Sequence, residues 1–190
     1  DNSTINLASN TQQLNYNVGL YLKIPVFDVI NRKSQINDTL PSTTSTTFRG
    51  DISIEYFFPI MRRHVIHLKN EIQFYQADEI FENEVYRFGG LQEQRGFNED
   101  ELFATSMNSV TLEYRFLLDK NSHVLAFYDW SWYENTSNNY YLDYPVGFGA
   151  GFSFSTNLGV FNISYALGKQ FKESVLLSNS KIHFGYVAYF

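Results

Sequence analysis

Lys181-Ile182-His183-Phe184-Gly185-Tyr186-Val187-Ala188-Tyr189-Phe190 closes the sequence, and its reading decides the fold. Ile182, Phe184, Tyr186, Ala188 and Phe190 all fall on even positions. A β-strand points successive side chains to opposite faces, so this spacing predicts a strand with one wholly apolar face. The stretch ends on an aromatic where a soluble terminal strand usually carries something polar. It reads as the last strand of an outer-membrane barrel, with Tyr186 and Phe190 as a C-terminal signal.

The same rhythm extends back through the chain. Leu14, Tyr16, Val18, Leu20, Leu22 and Ile24 share one face, and so do Ile52, Ile54, Tyr56 and Phe58. Ile66, Leu68, Ile72 and Phe74 form a third set, with Asn70 as a polar exception among them. Val110, Leu112, Tyr114 and Phe116 follow, then Val124, Ala126, Tyr128, Trp130 and Trp132. Val146, Phe148, Ala150, Phe152 and Phe154 come next, and then Phe161, Ile163 and Tyr165. Most of the intervening residues are polar, charged or glycine. With the C-terminal segment this gives about eight strands of barrel-spanning length.

The connections alternate in length. Long polar stretches run from Asn31 to Thr47, Gln76 to Thr105, Glu134 to Asp143 and Gly168 to Ser180, while Pro59–Arg63, Asp119–Ser122 and Asn157–Gly159 are tight. Outer-membrane barrels combine long extracellular loops with short periplasmic turns. The expected fold is therefore an all-β, transmembrane, antiparallel up-and-down barrel over residues 12–190, with both termini periplasmic. Residues 1–11 read as a flexible polar leader. A soluble sandwich or lipocalin-like barrel has the same alternation, but its even face would be the core and its polar face the outside. Periodicity alone leaves both arrangements open.

Composition bounds the function. Aromatics make up 18% of 190 residues, as 18 Phe, 14 Tyr and 2 Trp, which suits strands and the aromatic girdles of membrane barrels. Mean hydropathy is −0.28, the average expected of a barrel with one apolar and one polar face. No run reaches the ~18 apolar residues of a membrane helix. No signal peptide opens the sequence, so export implies that one has been removed. Cysteine is absent, which excludes disulfides and thiolate metal sites. A net charge of −6 argues against nucleic acid as a partner.

The segment Arg87-Phe88-Gly89-Gly90-Leu91-Gln92-Glu93-Gln94-Arg95-Gly96-Phe97 sits in the longest connection. Downstream come Glu113 in Leu112-Glu113-Tyr114-Arg115-Phe116 and Asp129 in Ala126-Phe127-Tyr128-Asp129. Gly147-Phe148-Gly149-Ala150-Gly151, Asn157-Leu158-Gly159 and Tyr165-Ala166 follow. This ordered set, over roughly residues 84–190, resembles the BamA/TamA superfamily of outer-membrane assembly and translocation proteins. That family carries a Gly-Gly element followed by a hydrophobic-Arg-Gly-aromatic motif in its longest loop. Gln94 departs from the pattern, standing where the family usually has an aliphatic residue. The resemblance implies that Gly89, Gly90, Arg95, Gly96 and Phe97 form a motif loop tucked into the barrel. It also implies that Arg95 pairs with acidic residues of the inner wall.

The residues agree with that implication. Glu113 and Asp129 are odd-numbered and lie on the polar face. Buried carboxylates need a partner, and a planar guanidinium can engage them bidentately. Gly147, Gly149 and Gly151 clear side chains from the same face, leaving room for a loop backbone. Without the resemblance, the plainer reading is a solvated loop with both carboxylates facing water. Glu113 and Asp129 as an acid–base pair is a weaker alternative than a structural ion pair. His67 and His183 share the polar face but do not define a metal site, and His64 and His123 are scattered. Asp78, Glu79, Glu82 and Glu84 make an acidic loop patch whose default reading is solvation. No catalytic triad, phosphate loop or cofactor fingerprint is visible, so neither catalysis nor a cofactor or metal is expected.

BamA-type barrels have about sixteen strands and periplasmic domains that receive clients. This sequence corresponds to the C-terminal half of such a barrel. Eight strands enclose a lumen filled by side chains, too narrow for a polypeptide. Three arrangements follow: a small plugged barrel, one larger barrel shared by two copies, or a fragment with unpaired edges in lipid, the last prohibitively costly. The expected function is a non-catalytic outer-membrane role in protein or lipid assembly or in bilayer perturbation, with translocation only in an oligomer. A structural or surface-display barrel is the alternative. Expected partners are outer-membrane lipid, the assembly machinery acting on the C-terminal strand, and a second copy in a homodimer.

Overall fold

A computed structural model of the chain describes residues 4–8, 19–23, 28–34, 43–119 and 122–188, with side chains over 47–119 and 122–188. The described residues are all-β apart from one 3₁₀ turn at Leu177–Asn179. The strands are β1 (Thr4–Ala8), β2 (Gly19–Lys23), β3 (Asp28–Ser34), β4 (Thr43–Met61), β5 (His64–Ala77), β6 (Tyr86–Phe88) and β7 (Leu102–Ala104). There follow β8 (Ser106–Asp119), β9 (Ser122–Asn135), β10 (Tyr141–Asp143), β11 (Val146–Thr156), β12 (Gly159–Lys169) and β13 (Lys181–Ala188).

One antiparallel sheet runs β1-β2-β4-β5-β8-β9-β11-β12-β13, with β3 added to β4 and β10 to β9. β6 and β7 form a separate two-stranded ribbon. Each strand on the main path pairs with the one before it on that path, across long and short connections alike, as sequential strands usually do. The segments expected to be strands all contain one, and long and short connections alternate between them.

Three differences stand out. First, the stretch from Asn31 to Thr47 is partly strand. β2 and β3 lie in succession along one edge of β4, beside Ser53–Tyr56 and Thr43–Arg49. Thr43, Thr44, Thr46 and Thr47 are β-branched and favour extended backbone. Threonine at odd and even positions alike leaves the run without the apolar alternation that marks a half-buried strand. Second, Thr4–Ala8, within the segment expected as a leader, pairs with β2 from Thr4↔Lys23 to Ala8↔Gly19. Third, among the described residues the sheet is open. Its path ends at β1 and β13, and no ladder joins them. A strand has two pairing edges. β4 and β1 occupy both edges of β2, so β2 has none left for β13.

The exposed face is the apolar one. Leu112, Tyr114, Val124, Tyr128, Phe152 and Phe154 are exposed, and so are Ile182, Phe184 and Tyr186, with Ile182 at 75%. The alternate positions Ser109, Thr111, Glu113, Asp129, Ser131, Ser153, Ser164 and His183 are buried, with Asp129 and Ser131 at 0%. A sandwich or lipocalin-like barrel requires the reverse. The apolar side chains line up across strands, with Phe154↔Phe161↔Tyr186 and Phe152↔Ile163↔Phe184 in register. The ring of Phe161 stands 5.0 Å from that of Phe154 and 4.4 Å from that of Tyr186.

Candidate functional site: an arginine loop docked on the polar face

The connection from β5 to β8 covers the polar face of the sheet. Its own apolar residues build a small core there. Phe88, Phe97, Leu102 and Ala104 from the loop pack with Met107 of β8 and Tyr133 of β9. Phe88 meets the Tyr133 ring edge-on at 5.3 Å. Phe97 is thus an anchor of the loop and is buried. Gly89, Gly90 and Gly96 have φ of 130°, 90° and 94°, a region that glycine enters without steric cost. Gly96 also lies against the backbone of Gly168, so that a methyl group there would sit 2.6 Å from the Gly168 nitrogen. Such an approach needs glycine on both segments.

Between Gly90 and Gly96 the chain turns back on itself. The Gly90 amide donates to the Gln94 carbonyl at 3.0 Å, and the Gly89 amide to the Glu93 carboxylate at 3.1 Å. Burial pushes the Glu93 carboxyl above its ordinary pKa. The Gly89 N–H opposes this shift, and the charge of Glu71 adds to it.

This turn delivers Arg95 to the sheet. Its Nε and Nη2 donate to the two oxygens of Asp129, both at 2.7 Å, and its backbone N–H reaches Asp129 Oδ2 at 3.1 Å. Its Nη1 donates to Glu113 Oε1 at 2.6 Å. The guanidinium lies over the Phe127 ring, 3.6 Å from its centroid. Arg95, Glu113 and Asp129 are all at least 95% buried. Desolvation pulls the arginine pKa down, but the bonds and charges of Asp129 and Glu113 outweigh it and hold the pKa above its ordinary value. Arg95 stays charged.

The second oxygen of Glu113 is also engaged. Arg115 Nε donates to it at 2.7 Å, and His67 Nδ1 lies 3.0 Å away. Arg115 Nη2 is 2.8 Å from the same His67 nitrogen, so the tautomer decides which contact is a hydrogen bond. The His67 ring stacks on Phe57 at 4.3 Å. Two guanidiniums thus face two carboxylates, and His67 Nε2, buried without a hydrogen bond, lies 3.9 Å from a third carboxylate, that of Glu55. Opposed charges and a donor at every oxygen of Glu113 and Asp129 are what make such a buried cluster tolerable.

Gln94 is fully buried. It accepts from the Ser131 hydroxyl at 2.5 Å and donates to the Asp129 carbonyl at 3.3 Å. An aliphatic residue there would leave that hydroxyl without this acceptor. The Gly96 amide donates to His183 Nε2 at 3.1 Å. Arg115, His67, Gln94 and His183 therefore belong to the site. The signal for three of them was their parity, since 67, 115 and 183 share the polar face with Glu113 and Asp129.

The three strand glycines divide. A methyl group on Gly147 would run into the Arg95 carbonyl, so this glycine makes room for the loop. Gly149 faces the Tyr165 carbonyl and the Phe127 ring, and Gly151 faces the Ile163 carbonyl and Ser164. Those two admit β12 and the ring beneath Arg95 rather than the loop backbone. Tyr186 is remote from the site; it is exposed and donates to the Leu158 carbonyl at 2.8 Å. Phe190 lies outside the described residues.

Among the described residues no cluster of three or more His, Asp or Glu has the geometry to hold a metal ion. The chemistry available at Arg95 is ion pairing and hydrogen bonding, and every oxygen of its two carboxylate partners is already engaged. No protein-family model matches the chain. No curated protein matches it either.

Proposed function

We propose that the chain is an outer-membrane β-barrel of the BamA/TamA type, with a non-catalytic role in assembling proteins or lipids or in perturbing the bilayer. The observation that carries the reading is the inverted polarity of the sheet. Leu112, Tyr114, Phe152, Phe154, Ile182 and Phe184 point out, while Arg95, Glu113 and Asp129 are held within. In water this arrangement exposes apolar surface and buries charge, both at a cost. In a bilayer the apolar face is solvated by lipid, and the polar face is closed off by the loop. The Arg95 loop, docked on carboxylates of two neighbouring strands, is the element through which the chain resembles that family.

Open edges are not tolerated in lipid, because each unpaired backbone group costs several kcal/mol there. The edges of β1 and β13 therefore pair in the membrane, within one chain or between two copies. Translocation of a polypeptide belongs only to the second case. The two functional classes, assembly and passive anchoring, part in a deletion strain. Assembly predicts reduced levels of other outer-membrane barrels, restored by the intact gene but not by an Arg95→Ala copy. Unchanged barrel levels would refute it. For membrane residence the measurement is fractionation, followed by extraction of the membranes with alkaline carbonate. Recovery of the folded chain in the soluble fraction would end the reading as a whole.

A further inference from the structure

Among the residues whose side chains are described, the long-connection end of the sheet carries two arginines outside the buried network. Arg49, on β4, lies over the Tyr86 ring at 4.3 Å. Arg87, on β6, lies over the Phe103 ring at 5.0 Å. Both are exposed, and among the residues whose side chains are described neither forms an ion pair with a carboxylate. That is unusual in a chain of net charge −6, where acids outnumber bases. Stacking engages the flat face of a guanidinium; Arg49 also hydrogen-bonds the Tyr86 hydroxyl, which it shares with Asp51, and the N–H groups left over on each arginine can meet an oxyanion.

Both arginines line one cavity of about 480 Å³, whose wall also contains Thr47, Tyr75 and Asn83. The acid in that wall, Glu84, is tied back by the Tyr75 hydroxyl at 3.0 Å. A second cavity, of about 330 Å³, has in its wall Phe103, the ring on which Arg87 rests. Its wall is Phe103, Tyr141, Ser137, Asn138 and Asn139, with Asn135 and Glu82. Tyr141 and Asn135 are held in place by hydrogen bonds to the Phe103 carbonyl, at 3.0 and 3.1 Å. Amides, hydroxyls and an aromatic edge are the groups that match the hydroxyls and C–H faces of a sugar.

We infer that these two cavities form one binding site for a phosphorylated saccharide, with the phosphate between Arg49 and Arg87 and the sugar on the Asn138–Tyr141 side. The size is appropriate, since ligand pockets commonly enclose 300–1,000 Å³. Two guanidiniums are the usual means of holding a phosphate by paired hydrogen bonds. The site does not depend on what the Arg95 loop does. Its ligand chemistry is shared by a free sugar phosphate and by the phosphorylated headgroup of a glycolipid.

The test is calorimetric titration of the full chain, purified in detergent, with glucose 1-phosphate, inorganic phosphate and glucose in turn. Glucose 1-phosphate is expected to bind one to a chain and at least tenfold more tightly than either inorganic phosphate or glucose. Arg49→Gln and Arg87→Gln are each expected to weaken it tenfold or more, whereas Arg62→Gln, at the opposite end of the sheet, leaves it unchanged. Asn139→Ala is expected to narrow the gap between glucose 1-phosphate and phosphate. Unchanged heat-modified gel mobility identifies variants that remain folded. No binding of glucose 1-phosphate, or binding indifferent to both arginines, overturns the site; equal affinity for phosphate overturns its saccharide half. Repeating the titration in nanodiscs assigns the source. A phosphoglycolipid bilayer that blocks glucose 1-phosphate, where a phosphatidylglycerol bilayer does not, upholds the site with a lipid ligand. Binding unaffected by either bilayer upholds it with a soluble one.

Discussion

Replacing Arg95 by Ala removes three side-chain hydrogen bonds, two to Asp129 and one to Glu113. The two carboxylates do not suffer equally. Glu113 keeps Arg115 at its other oxygen. Asp129, fully buried, retains only the backbone N–H of residue 95. Removing one partner of a buried ion pair costs roughly 3–5 kcal/mol, because an uncompensated charge is left behind. At about 1.4 kcal/mol per factor of ten, the equilibrium for docking the loop falls by some hundred- to several-thousandfold. Hydrogen exchange of the amides between Tyr86 and Ala104 reads that equilibrium directly. Arg95→Ala should lose protection there, while β11 and β12 keep theirs. Adding Asp129→Ala should restore much of the loss, giving a coupling above about 1 kcal/mol in the double-mutant cycle. Arg95→Lys should fall between, because an ammonium cannot reproduce the bidentate contact with Asp129. A cycle that closes to within about 0.5 kcal/mol would refute the ion-pair argument. The loop would then be held by its apolar core alone.

That core is itself testable: Phe97→Ala should cost about 3–5 kcal/mol of loop docking, read by the same exchange experiment, and an effect below 1 kcal/mol would show that the ring is not anchored. Gly147→Ala drives a methyl group into the Arg95 carbonyl and should release the loop at a cost of about 1–3 kcal/mol, whereas Gly151→Ala should disturb β12 and leave the loop in place; limited proteolysis within residues 78–105 separates the two. Burial raises the Glu93 pKa, so this group's contribution to docking is greatest below the ordinary glutamate value of about 4.3 and is lost as pH rises through the raised one. Glu93→Gln, which keeps an acceptor for the Gly89 amide, should therefore protect the loop more than wild type at pH 7, with the difference closing toward pH 4; a difference that persists or widens toward pH 4 would contradict the sign. On the exposed face, Leu112→Arg should cost about 2–4 kcal/mol of insertion if that face meets the bilayer core, and membrane recovery equal to wild type would place it elsewhere.

Strand existence is a local matter, and the sequence carries it. Side-chain alternation along Val110–Phe116, Val124–Trp132 or Val146–Phe154 needs nothing beyond a two-residue period. The same period puts Glu113, Asp129, His67 and His183 on one face before any coordinates are known. It fails for β3, where Val29 and Ile30 are adjacent and polar residues follow, and for the first residues of β4, where threonine and serine stand at odd and even positions alike and leave no contrast to read. The expected pairing of Arg95 with Glu113 and Asp129 rests on a resemblance, not on spacing. These residues are 18 and 34 positions apart, a separation with no period. Gln94 gave no local sign that its amide would be needed, because the Ser131 hydroxyl that it accepts from lies on a strand 37 residues away.

The alternation, the order of long and short connections and the polar parity set are thus legible in the residues alone. They do not say which face turns outward, because a period of two is unchanged when inside and outside are exchanged. That choice is made only when a loop packs on one face. Here Phe88, Phe97 and Leu102 carry the Arg95 loop onto the polar side and leave Leu112, Phe152 and Ile182 exposed. The edges of the sheet were likewise decided in three dimensions. Pairing is a competition among strands for a fixed number of edges, and β1 takes the edge of β2 that closure onto the last strand would have used.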